Sequence, residues 1–219
     1  MEIKYIGHSC FRIKGKDTVA VTDPFESKSV GLPMAKLGAD IVTVSHDHTD
    51  HNKAELVDGT PRRSKPMVVR ETGEYEVGGM CVIGTEVFHD EENGAARGKN
   101  IVFTFLVDGL IVCHLGDLGH KLSDDQVEDI GQVDILLVPV GGVFTLGPAK
   151  AVEVVEQLSP SIVIPMHYKR EGMSGEFESL STVDEFVTKV GLGQAKRAES
   201  LKLSKDELPE DTELYILEG

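Results

Sequence analysis

The chain has 219 residues, 40% of them hydrophobic and 27% charged, with a formal net charge of −15. That length is enough to bury about 70–75% of the unfolded surface, which suits one packed domain over residues 1–219. The excess of acid repels nucleic-acid phosphates and anionic membrane surfaces, and no apolar run reaches the roughly 18–20 residues that span a bilayer.

The amino terminus, "MEIKYIGHSCF", lacks the basic stretch and apolar segment of a secretory leader. Cys10, Cys81 and Cys113 each stand alone in apolar, strand-like surroundings, which points to reduced thiols and a cytoplasmic protein. Short extended segments come first: "EIKYIGH" (2–8), "CFRIKG" (10–15) and "TVAVTDP" (18–24), a predicted meander. "ADIVTVS" (39–45) is almost continuously apolar, as a strand covered on both faces should be. A helix is expected to begin near Asn52, and "TPRRSK" (60–65) reads as a solvated basic loop. Further strands are predicted over 65–71, 80–90, 100–109 and 110–117, with "VDGL" as the hairpin turn between the last two. From there helices over 122–132, 147–160 and 179–191 alternate with the buried strands "VDILLVPV" (133–140) and "SIVIPMHY" (161–168), before a charged tail that closes on "ELYILEG". Many strands followed by alternating strand and helix imply two sheets with helices outside.

The chemistry concentrates in "HDHTDH", His46 to His51, where an apolar strand stops. His46 and His48 are two residues apart, so in extended backbone they point the same way and can share a cation. Asp50 and His51 follow where the chain turns, which aims them at a neighbouring position. Neutral imidazole and carboxylate suit zinc and similar divalent metals, so one short loop can furnish ligands to two adjacent sites.

In this HxHxDH motif the chain resembles the metallo-β-lactamase-fold hydrolases. Within them "GHSCF", "HLGDLGH", "PVGGVFTLGP" and "PMHYK" are most similar to a compact branch related to ascorbate-phosphate lactonases and phospholipase-D-type phosphodiesterases. The resemblance implies a four-layer αββα sandwich of two mixed sheets flanked by helices. It also implies two divalent ions, zinc first with manganese or iron as alternatives: His46, His48 and His89 would hold one, Asp50, His51 and His167 the other, and Asp117 would bridge. Asp23 of "TDP" would support the histidine loop through hydrogen bonds.

Three histidines and one lysine fall outside that set. His8 is either an ordinary turn residue or a neighbour of the pocket. His114, three residues before Asp117 on an alternating strand, should face away and be buried. His120 is a candidate to contact substrate or protonate a leaving group, and Lys169 either attracts a substrate anion or is solvated.

Such a metal pair would supply a nucleophile from water near neutral pH, which Asp50 would orient, so that no serine or cysteine nucleophile would be required. The expected partner is a small anionic ester, a phosphodiester or sugar-phosphate lactone, with no long nucleic acid and no membrane; self-association is left open. The alternatives are a metal-binding sensor or binding module with little turnover, or iron redox chemistry, disfavoured because no flavin-binding segment is visible.

Overall fold

The computed structural model describes residues 1–173 and 175–219. The chain enters as an antiparallel meander, β1 (Glu2–Gly7), β2 (Cys10–Lys14) and β3 (Val19–Thr22), then passes through α1 (Ser27–Val30) and β4 (Leu37–Gly38) to β5 (Ile41–Thr43). Where a helix is expected near Asn52 there is only a 3-10 turn, Ala54–Leu56, leading directly into β6 (Val57–Asp58) and then β7 (Met67–Val69). The physical reason is length. Gly59 and Pro61 follow so closely that too few residues remain to offset helix nucleation, and β6 pairs with β4 instead.

A second meander follows: β8 (Gly73–Val77), β9 (Met80–Phe88), β10 (Lys99–Val107) and β11 (Leu110–His114). The β10–β11 turn places both Asp108 (φ 52°) and Gly109 (φ 78°) in the left-handed region, as a two-residue hairpin of matching twist requires. Then α2 (Asp124–Ile130), β12 (Ile135–Pro139), α3 (Pro148–Leu158), β13 (Ile162–Met166) and α4 (Val183–Val190) alternate. Ser123 caps α2 with Gln126 in a reciprocal capping box, and Pro148 opens α3 at the position where its missing N–H costs nothing.

One six-stranded sheet runs β7–β5–β3–β2–β1 and ends on β15 (Leu201–Lys202). The eight-stranded sheet runs β8–β9–β10–β11–β12–β13 and ends on β16 (Glu213–Leu217) and β14 (Lys196–Ala198). The carboxy-terminal segment therefore clips the two sheets together, β15 onto β1 and β16 onto β13. Both sheets are mixed. β3, β5 and β7 are parallel, as are β11, β12, β13 and β16.

Ile3, Tyr5, Phe11, Ile13, Phe103 and Phe105 belong to one core cluster that unites the two sheets, and every residue of β12 and β13 is buried because helices cover their other side. The outer face of the six-stranded sheet has its own cluster, Val21, Val42, Phe25, Val30 and Phe177 among it, covered by α1 and short 3-10 turns. That outer layer is thin. Among the described residues no helix is long and apolar enough to cross a membrane.

Candidate metal centre

Each chemistry-bearing side chain sits just past the carboxyl end of a strand. His8 follows β1, Asp23 β3, the His46–His51 loop β5, His89 β9, Asp117 β11, and His167 β13. Three of these turn sharply: His8 (φ 55°), Asp23 (φ 38°) and His167 (φ 50°) are non-glycine residues in the left-handed region, a conformation that costs energy and collects at functional sites. The sheet edge and the turns together aim the side chains at one point.

That point is Asp117. Its Oδ2 lies 3.3 Å from His51 Nε2, 3.3 Å from His167 Nε2, 3.4 Å from His89 Nε2 and 3.9 Å from His46 Nε2. The His48 ring completes the far side, 4.5 Å from His46 and 5.2 Å from His89, and is the exposed member of the set. Asp50 Oδ2 lies 3.2 Å from His51 Nε2. Among the described residues three donor groups are compact enough to share a cation: His46, His48 and His89; His46, His51 and Asp117; and His8, Asp50, His51 and His167. His120 and Lys169 are not brought to this point. Phe88 N–H donates to His120 Nε2 (3.1 Å), and Nδ1 lies 2.8 Å from the Lys121 carbonyl, so both ring nitrogens are committed to backbone. The Lys169 side chain is exposed and away from the cleft.

Residues beyond the expected donors support the centre. Asp23 is fully buried and accepts from His51 Nδ1–H (2.9 Å), Ser45 N–H (2.8 Å) and Ser45 Oγ–H (2.6 Å); with its proton committed to Asp23, the Ser45 hydroxyl accepts from His46 Nδ1–H (2.9 Å). One carboxylate thus orients a histidine of each donor trio, and both Nε2 atoms turn inward. Asn100 fixes the Asp117 loop by donating to the Leu115 carbonyl (2.8 Å) and accepting from Asp117 N–H (3.0 Å). Gly116 (φ 55°) between them must be glycine, since a Cβ there would meet Ser45 and Asn100. His8 donates from Nε2 to Asp50 (2.9 Å), so it belongs to the pocket rather than to a solvated turn. His114 is buried with Nε2–H on the Ser9 carbonyl (2.8 Å) and Nδ1 accepting from Gly116 N–H (3.2 Å).

Burial pushes His46 well below the ordinary histidine pKa, with the charge of His51 adding to it, and likewise lowers His89. Burial takes His8 down to about 4, against a partial opposing pull from Asp50. Burial alone would lower His51 too, but Asp117 and Asp50 face its Nε2 and raise it instead. For Asp117 burial is outweighed by His167 and His51, which hold its carboxyl well below the usual range.

The donors fit a divalent metal. Among the described residues, Nε2 of His46, His51 and His167 and Oδ1 of Asp117 are buried without hydrogen-bond partners, a costly state that a cation among them would relieve. Beside them opens a cleft of about 340 Å³, whose mostly polar lining includes Arg97 and two aromatic residues, Phe144 and Phe177.

The family model of the beta-lactamase superfamily domain matches residues 2–167, the stretch that carries every donor named above. The chain belongs to the metallo-β-lactamase superfamily. A UPF0173 metal-dependent hydrolase of Methanoculleus marisnigri is 28% identical over 96% of this chain and all of its own length, and one of Korarchaeum cryptofilum is 30% identical over 77% and 83%. A solved structure from Thermotoga maritima, provisionally named a zinc-dependent hydrolase of the superfamily, is 39% identical, covers 99% of this chain and 97% of that one, and superposes with a TM-score of 0.80. Superfamily membership, a donor cluster fit for a cation and relatives of that description together make the chain a metal-dependent hydrolase of this superfamily.

Proposed function

We propose that the whole chain folds as one hydrolase domain that uses two divalent ions, zinc first among them, to cleave a small anionic ester in the cytoplasm. The observation that carries this reading is the convergence of four imidazole Nε2 atoms, of His46, His51, His89 and His167, on one buried carboxylate, Asp117. His46, His48 and His89 would hold one ion, Asp50, His51 and His167 the second, with Asp117 between them. A bound pair of this kind supplies Lewis-acid polarisation of the scissile bond and a nucleophile from water at neutral pH.

The chain's own residues prepare that chemistry. Burial lowers the pKa of His46 and His89 and so favours the neutral form in which imidazole ligates, whereas His51, raised by Asp117 and Asp50, would give up a proton on taking up an ion. Asp23 fixes two ring orientations at once, and His8 holds the Asp50 carboxylate in place. Phe177 packs on His8 (5.0 Å between ring centroids) and Phe144 on Phe177 (6.0 Å), which keeps bulk water off this side of the site. His120 receives no catalytic role, because its ring nitrogens serve the backbone. A phosphodiester or sugar-phosphate lactone suits the small cleft, and a −15 exterior opposes a polymer that must lie along the surface. Cys10 and Cys113 are buried free thiols, in keeping with a reducing compartment.

The test compares catalytic efficiency on a small phosphodiester, a phosphorylated lactone, a neutral lactam and single-stranded RNA at matched metal content. The proposal expects one of the first two to lead and His48→Ala to abolish its turnover. Leading turnover of RNA or the lactam, lost in the same variant, overturns the substrate assignment.

A further inference from the structure

Two loops meet at the mouth of the metal cleft, and neither is needed to hold a metal. The first follows His89. The Asp90 carboxylate accepts four backbone N–H groups, from Glu92 (2.8 Å), Gly94 (2.9 Å), Ala96 (3.1 Å) and Arg97 (2.6 Å), so this polar, glycine-containing stretch is wound around one side chain. The second follows β12. There Phe144 N–H reaches the Gly142 carbonyl (2.6 Å) across Val143, a β-branched residue held at φ 62°. A three-residue turn of that hand is strained, and strain of this kind persists only where the surroundings enforce it.

The outcome of both loops is one guanidinium. Arg97 lies with its Cζ 4.9 Å above the Phe144 ring and donates one Nη2 hydrogen bond to the Val143 carbonyl (3.3 Å). The arginine ion pairs among the described residues involve Arg62, Arg70 and Arg197, and none reaches Arg97. Most of its five donors therefore remain available, on a side chain whose backbone and ring contacts already restrict it. Arg97 is also the one lysine or arginine lining the metal cleft among the described residues, against the carboxylates of Asp47, Asp50, Asp117 and Glu176. It lines as well an adjoining cavity of about 540 Å³, where Lys189 has no acidic partner among the described residues and Glu91 is taken up by Lys150.

We propose that Arg97 selects substrates bearing a second oxyanion, a carboxylate or phosphate set away from the scissile bond and bound at the junction of the two cavities. This rests on the metal-hydrolase reading above and adds the shape of the substrate: an anionic ester with an anionic tail. A planar fork of donors matches either oxyanion in two parallel hydrogen bonds, which a solvated lysine does not reproduce. In a protein of net charge −15 the tail has few other places to be held.

The test is a ligand–variant cycle on the metal-loaded protein by calorimetry, with three phosphonates: propylphosphonate, 3-phosphonopropanoate and propane-1,3-diphosphonate. The parent should bind at least one charged-tail ligand tenfold or more tighter than propylphosphonate, and the better tail identifies the oxyanion. In Arg97→Met, which keeps an apolar contact with Phe144, that advantage should fall below threefold, and Arg97→Lys should recover part of it. No tail advantage in the parent, or the same advantage in Arg97→Met, overturns the proposal. Ester pairs with and without the tail then separate the two readings: a tail advantage in binding with no turnover of either ester by the fully metallated parent contradicts the hydrolase reading alone.

Discussion

Asp23 accepts three hydrogen bonds and holds a histidine on each side of the centre, so its effect on metal binding should exceed that of any single contact it makes. Asp23→Asn should leave the far-ultraviolet circular dichroism unchanged and weaken metal affinity about 10–100-fold in a competitive chelator titration. Asp117→Asn should lose more, because Asp117 faces four imidazoles directly. Equal affinities in both variants and the parent would show that neither carboxylate serves the centre. "HDHTDH" made half of this site legible, since spacing and strand end together fix where those side chains go. His89, Asp117 and His167 were placed only by resemblance, because single residues at the ends of separate strands leave no local pattern. Ser45 and Asn100 left no signal at all: a serine before a histidine and an asparagine opening a strand acquire meaning only when a fold brings them to Asp23 and Asp117.

At the scale of elements the centre depends on tight turns after strands, and Gly116 is one that faces two demands at once. Gly116→Ala combines a left-handed φ with a clash against Ser45 and Asn100, a cost of about 1–3 kcal/mol for the backbone conformation alone. For a chain of this size each kcal/mol shifts the melting temperature by about 2–4 °C, so a drop of several degrees is expected in calorimetry. A melting point equal to the parent's would mean that the loop relaxes without penalty. The strands and helices were readable because periodicity and capping residues are local. No helix forms near Asn52 because the chain just beyond it, β6, pairs with β4, a partner twenty residues away in sequence, and leaves room only for a 3-10 turn. β14 and β15 were invisible for the same reason: three and two residues with little apolar content become strands only against β16 and β1.

The whole molecule carries its buried histidines as a pH dependence. His8 titrates at about 4 in the folded protein against an ordinary value of 6.5, and His46 and His89 are lowered as well. Between those values the unfolded chain binds more protons than the folded one, so metal-free protein should lose stability as pH falls from about 6.5 to about 4, with His8 alone contributing up to about 1.4 kcal/mol per pH unit. His51 opposes this only near the top of the window, where the unfolded imidazole is still partly neutral; further down it is protonated in both states. Urea midpoints that stay level or rise on acidification would contradict the burial of neutral imidazole. The central claim, that one cluster binds two metal ions, is tested most directly by elemental analysis of reconstituted protein, with the combined His46→Ala and His48→Ala variant alongside. Two divalent ions per chain in the parent and one in the variant are predicted. No metal in the parent, or equal content in both, would contradict the assignment.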